Sequence, residues 1–247
     1  MTTPDLPATP RRAWAAQQAA RQLLEEDIRR LPVDPRAIIR AHGWRLLTYG
    51  QAAARLSADA TVADIMALYG TADAFTATAP RQGRVLIVYN DQIDNGQRAA
   101  FSLCHEIGHL MLGHFDTPDA ILTPGQRRLL DQEANAFAAN LMAPVAVVDQ
   151  LRRPLCPTDR HLFGLSRQGW EVRLATLDAD RRAMMPELLA SLRGQFRAFT
   201  SQRRCPACGA VFLRPLDACA ACGHALAWAP DACPMDFPWT PETWRGQ

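Results

Sequence analysis

Phe101-Ser102-Leu103-Cys104-His105-Glu106-Ile107-Gly108-His109-Leu110 is the stretch on which the reading of this chain turns. Two histidines at i and i+4 lie on one face of a helix, about one turn apart, so both imidazoles can reach one cation. Glu106 sits about 100° around the helix from His105. It can reach a water on that cation without being a ligand. Zinc lowers the pKa of such a water towards ~7 and polarises a carbonyl, and Glu106 could take the proton and later pass it to a leaving amine. A pattern with three fixed positions in five also arises by chance. Here it falls in a helical stretch, 98–114, after a strand that reads as buried, and among apolar Phe101, Leu103, Leu110 and Leu112. The expectation is a catalytic zinc held by His105 and His109, with Glu106 as the base.

A third ligand is needed. Ten residues after His105 stands Phe115, so a third histidine at that spacing is ruled out. His114 is one residue short, about 140° around from His109 if the helix continues. A carboxylate from the next helical stretch, 126–143, is expected instead. Asp131 and Glu133 are two apart and point roughly 200° away from each other, so only one can face the metal. Asp131 shares a face with Asn135, Ala138 and Met142 and is preferred, with Glu133 as the alternative. Asn135 could hydrogen-bond a ligand.

Outward from this pair of helices, 84–89 (Arg84-Val85-Leu86-Ile87-Val88-Tyr89) reads as a buried strand, paired across a turn with a strand at 75–79. A further strand is expected at 45–49, and 63–69 fits helix or strand. Residues 11–31 carry apolar residues at helical spacing, and Asp34-Pro35 starts a short helix ending near Gly43. Beyond the second histidine helix, 162–177 suggests two short helices broken near Gly164-Leu165-Ser166, and 186–200 another. Residues 1–10, with three prolines, read as a disordered leader.

Near the C-terminus Cys205-Pro206-Ala207-Cys208-Gly209 and Cys219-Ala220-Ala221-Cys222-Gly223 form two C-x-x-C knuckles. Four thiolates around one zinc make a ribbon, which the metal would stabilise outright because so short a segment builds little core. Cys104, Cys156 and Cys233 remain. Cys156 could occupy an open position on the catalytic zinc as an inhibitory switch, against the plainer reading of a buried thiol. Arg193, Arg197, Arg203, Arg204 and Arg214 lie near Phe196, Phe199, Phe212 and Trp228, a mixture suited to single-stranded DNA through phosphate contact and base stacking. A solvated helix face is the plainer reading of that run.

The 247 residues are 48% hydrophobic and 21% charged, enough for a substantial core plus a small module. The net charge of +2 points to no partner, and every one of the 27 basic residues is arginine. No apolar run approaches the roughly 20 residues of a membrane span, and the first residues do not resemble a secretory signal. A cytoplasmic protein with no membrane partner is expected.

The 101–110 stretch, the run Glu133-Ala134-Asn135-Ala136-Phe137-Ala138-Ala139-Asn140-Leu141-Met142-Ala143-Pro144, the segment Leu31-Pro32-Val33-Asp34-Pro35 and Phe163-Gly164-Leu165-Ser166 together resemble the ImmA/IrrE metallopeptidases over about residues 15–180. The resemblance implies an α+β, gluzincin-like fold with helices around a small sheet. It also implies an endopeptidase that cleaves a helix-turn-helix repressor and so derepresses stress, phage-defence or mobile-element genes. His105 and His109 match the ligands, Glu106 the base, and Asp131 the position where the family commonly has a glutamate ligand. With its ribbon the chain resembles the CapP-type subgroup attached to anti-phage operons, where DNA damage signals trigger cleavage. The expected organisation is a leader (1–10), a peptidase domain (11–200) and a zinc ribbon with a Trp- and Pro-rich tail (201–247), with one catalytic and one structural zinc. Substrate is expected along the sheet edge near 85–89, with His114, Tyr89 or His161 as oxyanion donor. The rival class is a non-catalytic nucleic-acid-binding regulator with structural zinc sites; a self-processing or toxin-like peptidase is a third.

Overall fold

The computed structural model describes residues 7–71, 73–79, 82–93, 95–117, 121–151, 157–200, 203–205, 207–208, 210–212, 218–219 and 221–225. Two compact units result: the described residues of 7–19 and 34–139 form the first, and those of 20–33 and 140–225 the second. The architecture is mostly helical around a small mixed sheet, followed by a four-cysteine cluster. That is the expected α+β class.

Helix α1 (Arg12–Glu25) begins in the first unit and ends in the second, and the chain re-enters the first unit at α2 (Pro35–Ala41). Asp34 caps α2 by accepting from the Arg36 amide at 2.9 Å, and Pro35 supplies the first helical φ. Strand β1 (Arg45–Thr48) then runs into two helices, α3 (Tyr49–Leu56) and α4 (Val62–Tyr69). Sequence periodicity left 63–69 undecided and showed no helix at 49–56. Capping decides both: Thr48 with Gln51 and Thr61 with Asp64 close reciprocal capping boxes. Gly70, at φ +65°, ends α4 in a conformation open mainly to glycine.

Strands β2 (Ala74–Ala79) and β3 (Arg84–Tyr89) complete a sheet of order β1-β3-β2. β3 is parallel to β1 and antiparallel to β2, with Phe75 opposite Val88 and Thr76 opposite Ile87. A strand paired on both sides is central, which is why its apolar run is continuous. It also corrects the expectation of substrate along 85–89: β3 has no open edge. One face of the sheet packs Leu47, Val88 and Phe75 against Tyr49, Ala53 and Ile65. By strand alternation Thr76 and Ile87 take the opposite face, and helix α5 (Gly96–Met111) packs on β2 and β3.

Asn95 starts α5 by accepting from the Gln97 and Arg98 amides, and Gly113 at φ +69° turns the chain after it. Helix α6 (Pro124–Met142) follows. The two helices approach closely at Gly108, where an added Cβ would sit 3.1 Å from the Ala134 carbonyl and 3.2 Å from the Phe137 ring.

In the second unit, α7 (Val145–Val148) precedes α8 (Arg167–Ala183), α9 (Pro186–Gln195) and α10 (Arg197–Thr200). The expected break at 164–166 is the start of α8, where the Ser166 hydroxyl caps the Gly169 amide at 3.1 Å. Arg173, 1% exposed, donates to the Ala143 carbonyl at 2.8 Å, to Asn140 at 3.0 Å and to Asp180. This buried charge is therefore paired and fully engaged, as it must be.

Candidate metal centre

Helix geometry alone brings His105 and His109 together. Their rings meet edge to face at 4.7 Å between centroids, with the Nε2 atoms 3.0 Å apart. The close approach at Gly108 sets α6 alongside, and there Asp131 places Oδ1 3.4 Å from His109 Nε2. Ligand atoms of His105, His109 and Asp131 all lie within 4.8 Å of one another, a spacing at which one ion can be shared. Three N/O donors suit a divalent cation such as zinc and leave a fourth position for water. His105 Nδ1 donates to Asn135 Oδ1 at 2.9 Å. That bond puts the ring's proton on Nδ1 and leaves Nε2 as a bare lone pair aimed at the shared point. The residues present therefore fit the ion.

Burial pushes the His105 imidazole down to about 4, reinforced by His109, so it stays neutral and available as a ligand near neutral pH. The Asp131 carboxyl is held below the usual carboxylate range by its hydrogen bond with His109. Glu106 is 8% exposed, and burial raises its carboxyl above the usual range against the pull of His109 and Thr76. Thr76 Oγ1 donates to Glu106 Oε2 at 2.7 Å. Thr76 escaped sequence reading, since only the sheet register shows that it faces α5.

Glu133, the alternative ligand, lies elsewhere. It is fully buried, and it accepts from the Arg11 amide at 2.7 Å, from Arg11 Nε at 2.9 Å and from the terminal guanidinium nitrogen at 2.8 Å. Burial alone would raise its carboxyl, but the Arg11 bonds outweigh that and hold it below the ordinary value. His114 bridges Glu133 and His109: its Nε2 is 3.2 Å from Glu133 Oε2 and its Nδ1 is 3.0 Å from His109 Nδ1. With both nitrogens engaged and 6% exposure, His114 is no free oxyanion donor. Tyr89 is also buried, its hydroxyl accepting from Arg36 at 2.8 Å. His161 belongs to the second unit. Cys104 is fully buried with its thiol pushed up by burial, which marks it as core.

The sulfurs of Cys205, Cys208, Cys219 and Cys222 lie within 4.8 Å of one another and form a second group able to hold an ion. The knuckles are built alike. The Cys205 amide donates to the Ala210 carbonyl at 2.8 Å and the Cys219 amide to the His224 carbonyl at 2.7 Å. A strand pair, β4 (Arg203–Arg204) with β5 (Val211–Phe212), flanks the first, and an Ala218–Ala225 bridge flanks the second. Burial raises the Cys219 thiol, but the Ala221 and Cys222 amides outweigh it and bring it to about 7, towards the thiolate a metal needs. Gly223 takes φ +73° directly after the second knuckle.

Of the remaining expected residues, Arg193 is exposed and lies 3.7 Å from Asp149, and Arg197 is exposed. Phe196 is fully buried and so is closed to base stacking. Cys156, Arg214, Trp228 and residues 1–6 of the leader lie outside the described residues, as do the side chains of Arg203, Arg204 and Phe212. Among the described residues no helix is long and apolar enough to cross a membrane.

Residues 58–174, just under half of the chain, match the family model of the IrrE N-terminal-like domain, Peptidase M78. The match contains both histidines, Glu106 and Asp131. No curated protein and no solved structure matches the chain.

Proposed function

We propose that the chain is a zinc-dependent endopeptidase whose substrate is a helix-turn-helix repressor, cleaved to derepress stress, phage-defence or mobile-element genes. The observation that carries the peptidase reading is the convergence of His105 Nε2, His109 Nε2 and Asp131 Oδ1 beside a buried Glu106, within a segment matching a metallopeptidase domain. Residues 11–200 then carry the peptidase and 201–247 a ribbon with its tail, in a cytoplasmic protein of the CapP type. His105, His109 and Asp131 would hold the catalytic zinc, and Cys205, Cys208, Cys219 and Cys222 a structural one.

Zinc supplies Lewis acidity towards the scissile carbonyl and an acidified water. The protein's own part falls to Glu106. Thr76 holds the carboxylate by Oε2 and orients it, and the carboxylate accepts a proton from water and returns it to the leaving amine. Burial raises the carboxyl in the direction such a base requires. Substrate adds as an extended strand to the edge of β2 that no described strand covers, and β2 carries Thr76 and so passes Glu106. Single-stranded DNA as activator rests on the exposed Arg193 and Arg197 and the arginine run that follows them.

The test is incubation with the helix-turn-helix protein encoded beside this gene, with and without single-stranded DNA and chelator, read by mass spectrometry. A single cut that chelator abolishes is expected. Glu106→Gln should lower cleavage by about 10²–10⁴-fold while both ions stay bound. Undiminished cleavage by that variant would sink the assignment, and absence of any cut would favour a non-catalytic regulator.

A further inference from the structure

Glu133 is a fully buried carboxylate outside the proposed ligand set, yet it is held by several donors. Three N–H groups of Arg11 point at it, one of them the backbone amide at the start of α1. Both carboxylate oxygens accept from this fork of donors, so towards its other neighbours Glu133 acts as an acceptor. Arg11 is itself seated, its guanidinium 4.1 Å over the Trp14 ring.

The direction of every hydrogen bond beyond Glu133 then follows. An acceptor-only carboxylate 3.2 Å from His114 Nε2 requires the proton on that nitrogen. His109 turns Nε2 towards His105 Nε2 and Asp131, the point where the metal reading needs a lone pair, so its proton belongs on Nδ1 and is donated to His114 Nδ1, 3.0 Å away. Asn135 imposes the same tautomer on His105. Two bare Nε2 atoms 3.0 Å apart, with a carboxylate oxygen at 3.4 Å from one of them, repel each other unless a cation lies between them.

We propose that Arg11, Glu133 and His114 form a positioning relay that fixes the tautomer and orientation of His109 and so makes metal affinity at this site depend on the seating of Arg11, the residue that leads into α1, 122 positions away from Glu133. The inference rests on the metal-site reading above. His114 and Glu133 act through His109 and touch no reacting atom; such partners of a ligating histidine typically change metal affinity by about 10–100-fold.

The experiment uses the full chain. Zinc affinity is read by chelator competition, and the ligand field by the visible spectrum of the cobalt(II)-loaded protein. Glu133→Gln and His114→Ala should each weaken the first site by about 10–100-fold and alter the cobalt spectrum. Arg11→Ala should weaken it less, Arg11→Lys should restore part of the loss, and Arg128→Ala, at an exposed position of α6, should match wild type. Because Glu133 is fully buried, its variants need a check that does not depend on folding. Nitrogen-15 NMR of the histidine rings in the zinc-loaded wild type supplies one: protonated Nε2 on His114 and protonated Nδ1 on His109. The opposite tautomer on His114, or wild-type affinity in both Arg11→Ala and His114→Ala, overturns the relay and leaves the metal site standing. A wild-type chain that binds one ion only, on its cysteines, overturns the metal site and the relay with it.

Discussion

The two candidate metal centres are built in opposite ways. The four cysteines lie within 18 positions, and each knuckle closes on itself through a local amide-to-carbonyl bond. The His/His/Asp group draws on two helices, with a supporting chain that reaches back to Arg11. In the first a metal would substitute for a core. In the second a core exists already and would position the metal. The difference teaches that a bound ion would be structural cause at one site and structural consequence at the other, depending on how much apolar burial surrounds the ligands.

Complete metal removal should separate the two most sharply. Structural zinc contributes on the order of 10 kcal/mol to the folding of small thiolate modules. Hydrogen exchange after chelation should show free exchange at the Cys205 and Cys219 amides, which close the two knuckles, and retained protection in α5 and α6. Persistent protection of the knuckles without metal would break the contrast. Next in size, Asp131→Ala should lose the first ion while the cysteine cluster keeps its own. The affinity loss should exceed the about 10–100-fold of an outer partner, and Asp131→Glu should retain binding. Native mass spectrometry counts the ions; loss of both would show that the centres are coupled.

A smaller effect is expected at Gly108. The added methyl of Gly108→Ala meets the backbone of Ala134 at 3.1 Å, so α6 must yield by a few tenths of an ångström. Overpacking of this kind costs about 1–3 kcal/mol and should weaken the first site with the cysteine centre untouched. Thermal denaturation and chelator competition check the two halves of that statement. The mildest intervention is pH. His105 and His114 are both depressed to about 4 in the folded chain, from an ordinary 6.5, by burial and then by His109. Between those values the unfolded chain binds more protons. Stability of the chelated protein should therefore be full above about 6.5 and decline as pH falls towards 4. A chelated protein equally stable at pH 7 and pH 5 would refute it.

Much of the fold was legible because its signals are local. Asp34-Pro35 starts α2, the apolar run of 85–88 marks the central strand, and a two-residue cysteine spacing closes a knuckle. Helices α3 and α4 were missed or undecided for the same reason in reverse. Each is short, and each depends on a Thr capping box that hydrophobic periodicity does not register. The strand at 84–89 was expected near a sheet edge and is central instead, because strand order is a non-local property: an apolar strand reads as buried, but its neighbours come from β1 on one side and β2 on the other.

What the sequence alone determined is the i, i+4 pairing of His105 and His109 with Glu106 between them, and the four-cysteine set, since both depend only on helix pitch and turn geometry. Which carboxylate of α6 meets the histidines was decided by tertiary structure. Asp131 and Glu133 differ by a rotation of roughly 200°, and the phase of that rotation is set where Ala134 and Phe137 pack on Gly108. The same packing turns Glu133 inward to Arg11 and His114, through contacts between residues too far apart in the chain for any local pattern to register.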